Sequence, residues 1–237
     1  MSSILCTICM RGGSKGLKNK NLKIINGKPL MYYTIKQAIK SRIFDKIVVS
    51  TDSKKILKYA KSFGADGWFL RPKKLSSNTS SKISAIKHAF IEAEKFYDKK
   101  FNFIVDLDVT SPLRNISDIT KAYKVFIKKK GDVLISGSKS RHNPYFNIVE
   151  IIKGKVKKAK EIKKNIFRRQ ESPATYDMNA SIYIWKRQTI LKSFHAAIER
   201  GKNWKTIFYE MPQDRSIDID SKFDFKLVEF LLRQKGN

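Results

Sequence analysis

Three stretches of the chain gather residue types that do chemistry. The first is Arg11-Gly12-Gly13-Ser14-Lys15-Gly16, followed closely by Lys20-Asn21. Its glycines let backbone N–H groups approach oxyanions with no Cβ in the way, while Arg11, Lys15 and Lys20 supply positive charge for a triphosphate. The stretch fits neither common glycine-rich spacing, G-x-x-x-x-G-K-[ST] or G-x-G-x-x-G, but an ordinary basic loop, the plainer alternative, would not explain its placement at a strand's carboxyl end. The second is Asp106-Leu107-Asp108-Val109-Thr110-Ser111-Pro112-Leu113-Arg114, an apolar run that ends in carboxylates. Alternation sets Asp106 and Asp108 on one face. Charge at the mouth of a buried strand needs a partner or a metal ion, unless the carboxylates cap Thr/Ser turns. The third, Asp218-Ile219-Asp220, puts two carboxylates on one side, an oxygen pair for a divalent ion such as Mg²⁺. Asp220 could instead serve the N-terminus of the helix that follows. A fourth group, Arg168-Arg169-Gln170-Glu171 with residues 176–181, either grips an acidic substrate or is solvated loop charge.

These stretches need elements to position them. Apolar runs predict strands over residues 4–10, 46–50, 68–70, 101–107, 133–137, 180–185 and 206–211. Helical spacing covers 30–39, 54–63 closed by Gly64, 82–97 capped by Ser80 or Ser81, and a helix capped by Ser117 that runs to 129. A last helix, 221–234, opens on the capping pair Ser221 and Asp224. Strands alternating with helices imply an α/β fold with a mostly parallel, doubly wound sheet, whose ligands bind beyond the carboxyl ends of its strands. The three chemical stretches then meet at one end, which argues for metal-assisted phosphoryl chemistry. Residues 142–178 change to short strands and a lysine-rich turn, an arm on a single domain spanning 1–237.

Composition narrows the classes. The chain has 237 residues, 41% hydrophobic and 11% aromatic, a globular balance. No run of about 18 apolar residues is present, so a cytoplasmic protein with no membrane partner is expected. Cys6 and Cys9 point to opposite faces of one strand, which favours a structural role over a redox pair, a zinc site or a disulfide framework. Net charge is +29, but it comes from 39 Lys against 11 Arg spread over nearly every helix. Solvated lysine faces account for that better than base readout by one element, so nucleic acid is not the expected partner.

Taken in order, Arg11 to Gly16, Lys20-Asn21, Ser50-Thr51-Asp52, Arg71-Pro72, Thr110 to Arg114, Arg169-Gln170, Asn179 to Tyr183 and Ser216 to Asp220 resemble the cytidylyltransferases that activate nine-carbon sialic-type sugars, the CMP-acylneuraminate and CMP-legionaminate synthetases. The resemblance covers nearly the whole chain. It implies a Rossmann-like nucleotidyltransferase sheet, a homodimer joined through the protruding arm, and transfer of CMP from CTP to the anomeric hydroxyl of a 2-keto-3-deoxy acid sugar. By position, Arg11, Ser14 and Lys20 look like triphosphate contacts, with Gly12, Gly13 and Lys15 in the same cradle. Asn21 and Arg71 look like cytidine contacts and Ser81 a further nucleotide contact. Asp218 and Asp220 look like Mg²⁺ carboxylates, with Asp108 a further candidate, and Arg11, Lys20 and Asp220 carry the chemistry. Asp108, Thr110, Ser111, Arg169, Gln170 and Asn179 fall on the substrate side. Two departures matter: Asp108-Val109 stands where many neuraminate enzymes carry Gln-Pro, and Asp177 to Ala180 where they carry an Arg before Asn-Gly. Both favour legionaminic over N-acetylneuraminic acid. Lys82 stands where a serine is frequent. A 3-deoxy-manno-octulosonate synthetase and a non-catalytic nucleotide-binding module are the rival readings.

Overall fold

The computed structural model describes residues 2–13, 16–77, 79–163, 166–193 and 203–234. In chain order the elements are β1 (Ile4–Cys9), the short β2 (Ile24–Ile25) and β3 (Lys28–Pro29), α1 (Leu30–Ser41), β4 (Lys46–Ser50), α2 (Lys54–Ser62), α3 (Lys82–Tyr97), β5 (Phe103–Leu107), α4 (Ile116–Lys128), β6 (Val133–Lys139), β7 (Val149–Ile152), β8 (Lys155–Lys158), β9 (Tyr176–Lys186), α5 (Arg187–Lys192), β10 (Thr206–Glu210) and α6 (Lys222–Gln234). None of these helices is long and apolar enough to cross a membrane.

Six strands form one sheet in the order β10-β6-β9-β5-β1-β4. The pairs β1–β4, β1–β5 and β10–β6 are parallel, while β9 lies antiparallel to both β5 and β6. Parallel strands covered on both sides must be apolar on both sides, and β1 is buried along almost its whole length. Two cores result. One holds Cys6, Ile8, Met31, Ile35, Phe126 and Val228 under α1, α4 and α6, and the other holds Leu5, Ile86, Phe90, Trp185 and Ile190 under α3 and α5. The two cysteines thus belong to opposite faces, as alternation requires, and burial pushes both thiols up.

Several boundaries differ from the sequence reading. Residues 68–70 form no strand: only Asp66 bridges to Val48, and the apolar rings of Trp68 and Phe69 are drawn instead against Phe96 and His88 of α3. The cap of α4 is Asn115, whose N–H donates to the Asp118 carboxylate at 2.9 Å, and Ser117 lies inside the helix. Residues 176–178, read as the end of the arm, begin β9 and pair with 137–139 of β6. Between β6 and β9, strands β7 and β8 pair with each other and with no other described strand. The Ser221–Asp224 capping pair forms as expected, with Ser221 Oγ donating to Asp224 at 2.8 Å.

Candidate active site

Two cavities open at the carboxyl ends of β1, β4 and β5. One, about 270 Å³, is lined by Arg11, Arg71, the serines Ser76, Ser77, Ser80 and Ser81, Lys82 and Asp108. The other, about 210 Å³, is lined by Arg11, Gly16, Lys20, Asn21, Asp108, Thr110 and Asp220. Cys9, Arg11 and Asp108 belong to both, so the cavities meet over the end of β1.

The glycine-rich loop is tied down by its neighbours. Gly12 N–H donates to Asp52 Oδ1 at 2.7 Å, and Asn21 Nδ2 donates to the Arg11 carbonyl at 2.9 Å. Gly16 sits against the chain that carries Asp220, where a Cβ would lie 2.3 Å from the Asp220 carbonyl oxygen. Lys20 Nζ donates to the Ile219 carbonyl at 2.6 Å and pairs with Asp220 Oδ1 at 3.3 Å. Arg71 is buried, its Nε donating to Ser76 Oγ at 3.1 Å, and Ser81 caps α3. Ser14 and Lys15 lie outside the described residues.

Asp106 and Asp108 do share a face, and the partner they find is Lys82. Its ammonium lies 3.1 Å from Asp106 Oδ2 and 2.7 Å from Asp108 Oδ2, over the Tyr183 ring. Thr110 donates both its N–H and its hydroxyl to Asp108 Oδ1 at 2.9 Å, so the turn-capping reading holds as well. Burial acts to raise the Asp108 carboxyl, but the ammonium and the Thr110 donors outweigh it and hold it at about 2. Asp106 is sealed beneath, and burial wins there, pushing its carboxyl up even with Thr7 donating at 2.8 Å.

Asp218 and Asp220 differ in surroundings. Asp218 is spent inside the fold, accepting from Ser111 Oγ and from the Ala180 N–H at 2.9 Å, and burial pushes its carboxyl up. The Asp220 side chain is 80% exposed at the second cavity. Ser111 is therefore buried against Asp218, away from both cavities. Asn179 is also buried, accepting from Ser136 Oγ at 2.6 Å and from the Ser181 N–H at 3.2 Å. Arg169 and Gln170 line a separate cavity at the root of the β7–β8 segment, with Arg169 donating to the Arg141 carbonyl at 2.7 Å.

Sequence reasoning noted two residues but gave them no role in the site. Lys82 occupies the first turn of α3, where the helix dipole disfavours a cation, and that misfit was the available signal. Arg114 is fully buried; it donates to the Ser181 carbonyl at 2.6 Å and to Thr34 and Gln37 at 3.1 Å, pinning the 108–114 loop to α1 and β9. Burial lowers its guanidinium to about 10.

Basic cavities at the strand ends of a sheet of this order, the second with Gly16 in its wall, suit a nucleotide. Residues 5–235 match the family model described as cytidylyltransferase. The chain belongs to the cytidylyltransferase family. This cytidylyltransferase is 44% identical over 236 residues to the CMP-N,N'-diacetyllegionaminic acid synthase of Campylobacter jejuni, with 100% of the chain and 97% of that protein covered. The same identity and coverage relate it to the post-translational flagellin modification protein B of Campylobacter coli. Its fold is that of the CMP:2-keto-3-deoxy-manno-octonic acid synthetase solved with CTP, at a TM-score of 0.71 and 15% identity over 99% of this chain and 100% of that one.

Proposed function

We propose that this cytidylyltransferase moves CMP from CTP to the anomeric hydroxyl of a nine-carbon 2-keto-3-deoxy acid sugar, legionaminic acid ahead of N-acetylneuraminic acid. The observation that carries the reading is the meeting of the two cavities over Cys9, Arg11 and Asp108, which gives a nucleotide and an acceptor a common boundary. The relative named for N,N'-diacetyllegionaminic acid supports the choice of sugar. Likeness to the octulosonate enzyme is one of fold alone at 15% identity, so that rival sugar stays second.

In this reading Arg71, Ser81 and Asn21 hold the nucleoside end, and Arg11, Gly12, Gly13, Ser14, Lys15 and Lys20 hold the phosphates. The anomeric oxygen attacks the α-phosphorus in line, the new P–O bond forms as the α–β bridge breaks, and pyrophosphate leaves with the bonding pair. Arg11 and Lys20 stabilise the charge that gathers on the leaving group. The hydroxyl's proton passes to water in the open cavity, since Asp108, held at about 2 by Lys82 and Thr110, is a weak base near neutral pH and Asp106 is sealed below it.

The donor set suits Mg²⁺. Asp220 is open to the second cavity, whereas Asp218 is committed to Ser111 and the Ala180 N–H, and no three acidic, His or Cys side chains among the described residues cluster as a metal cage. A cation that takes one or two carboxylates and completes its shell with phosphate oxygens and water matches that arrangement. Asp220 would hold it, without the second carboxylate expected from Asp218, and when bound the cation would neutralise the phosphate charge.

The proposal extends to a homodimer. Val149, Ile151 and Val156 of the β7–β8 hairpin are 56%, 75% and 67% exposed, and Phe167 beside it 79%, a patch suited to burial against a second copy. CTP as co-substrate supports a cytoplasmic location.

The test is pyrophosphate release with CTP and Mg²⁺ against a panel of N,N'-diacetyllegionaminic acid, N-acetylneuraminic acid and 3-deoxy-manno-octulosonate, with ATP, GTP and UTP as controls. Release with CTP and a nine-carbon acid is expected; nucleotide binding without release for any sugar would turn the reading to a regulatory module.

A further inference from the structure

Lys82 is costly where it stands. A cation in the first turn of a helix opposes the dipole, and the Lys82 side chain is only 28% exposed. Buried ion clusters contribute little net stability, since apolar residues of similar volume commonly do as well. The Asp106–Lys82–Asp108 cluster is thus poorly explained as a stabilising device, and above the sealed Asp106 its Lys82 lines the first cavity and its Asp108 lines both.

We propose that Lys82 is a positioning residue for the acceptor sugar: by clamping Asp108 as a pure hydrogen-bond acceptor, it dictates that the sugar present an N–H or O–H donor there. The inference rests on the reading that places the sugar beside Asp108. Thr110 takes Oδ1 twice and Lys82 takes Oδ2 once, so the carboxylate is fixed from both sides and keeps acceptor capacity only on Oδ2. An ionised carboxylate has nothing to donate, whereas an amide side chain at the same place would both donate and accept. An acylamino N–H is the matching group on a sugar, and a bare carbonyl oxygen is rejected because it would face the carboxylate with no proton between them. Lys82 reaches this carboxylate from α3, whose preceding serines line the nucleotide cavity, so it also fixes the acceptor subsite relative to the nucleotide.

The test is steady-state pyrophosphate release with CTP and N,N'-diacetyllegionaminic acid varied separately. Asp108→Asn is isosteric and is expected to lower kcat/KM for the sugar by about tenfold to a hundredfold, with the KM for CTP changed by less than about threefold. Lys82→Met is expected to do the same without touching the sugar. Should Lys82→Met alone fail to fold, the charge-balanced pair Lys82→Met/Asp108→Asn is compared with Asp108→Asn. Equal sugar kcat/KM within about twofold is the expected result, because Lys82 acts through Asp108. A further fall in the pair, or a CTP KM that rises as much as the sugar's, would overturn the assignment while leaving the reaction intact. Wild-type protein that releases pyrophosphate with no sugar at all would overturn the reaction, and this assignment with it.

Discussion

A methyl group on Gly16 would lie 2.3 Å from the Asp220 carbonyl oxygen, so the two backbones pack too closely there to admit a side chain. Gly16→Ala is expected to cost about 1–3 kcal/mol by forcing the backbones apart, read as a lower urea midpoint. Asp220→Ala should lower turnover far more than CTP affinity, and unchanged turnover would remove Asp220 from the reaction. Asp108 gives a pH signature. Its folded value of about 2 lies below the unfolded value of about 4, so its contribution to stability is complete above about pH 4 and is lost as pH falls toward 2. Asp106 and Asp218, pushed up by burial, act with the opposite sign: ionised they oppose folding, and acid relieves them. Asp108→Asn should therefore flatten the acid limb of a stability profile between about pH 4 and pH 2, and an unaltered limb would detach Asp108 from Lys82. Glycines, cations and paired carboxylates were legible as chemistry because their types have few other uses at a strand end. The Lys82 contact was not, because Asp106 lies on a later strand and Asp108 just past its end, and only the fold brings them within 3.1 Å and 2.7 Å.

Elements follow demands that sequence shows unevenly. The long helices and β1, β4, β5 and β6 were readable from period and apolar run, since covered parallel strands leave little choice of residue. Trp68 and Phe69 misled because aromatic character suits a strand and a helix-facing coil equally, and here packing on α3 won over a hydrogen-bonded ladder. Nothing in the pattern of β9 revealed that it runs antiparallel. Arg114 works at this scale, joining α1, the loop after β5 and β9 through one planar fork. Arg114→Met would strand those buried acceptors and should cost about 3 kcal/mol or more in denaturant titration. Arg114→Lys, lacking the fork, should recover only part of that.

For the whole molecule, the exposed apolar hairpin predicts assembly. Ile151→Glu is expected to convert a dimer to a monomer by mass measurement in solution with the fold kept, since Ile151 is 75% exposed within the chain. An unchanged mass would take the hairpin out of any interface. The antiparallel strand has a consequence of a different kind, for the order in which the protein can be made. β5 and β6 are neighbours of β9 in the finished sheet, yet both leave the ribosome long before residues 176–186 do. Until then each keeps an open edge, the kind of edge that recruits a second chain. The hairpin segment, synthesised in between, sets how long that interval lasts, and a nascent chain halted between β6 and residue 176 holds the β4-β1-β5 ladder and a lone β6 with no strand to knit them.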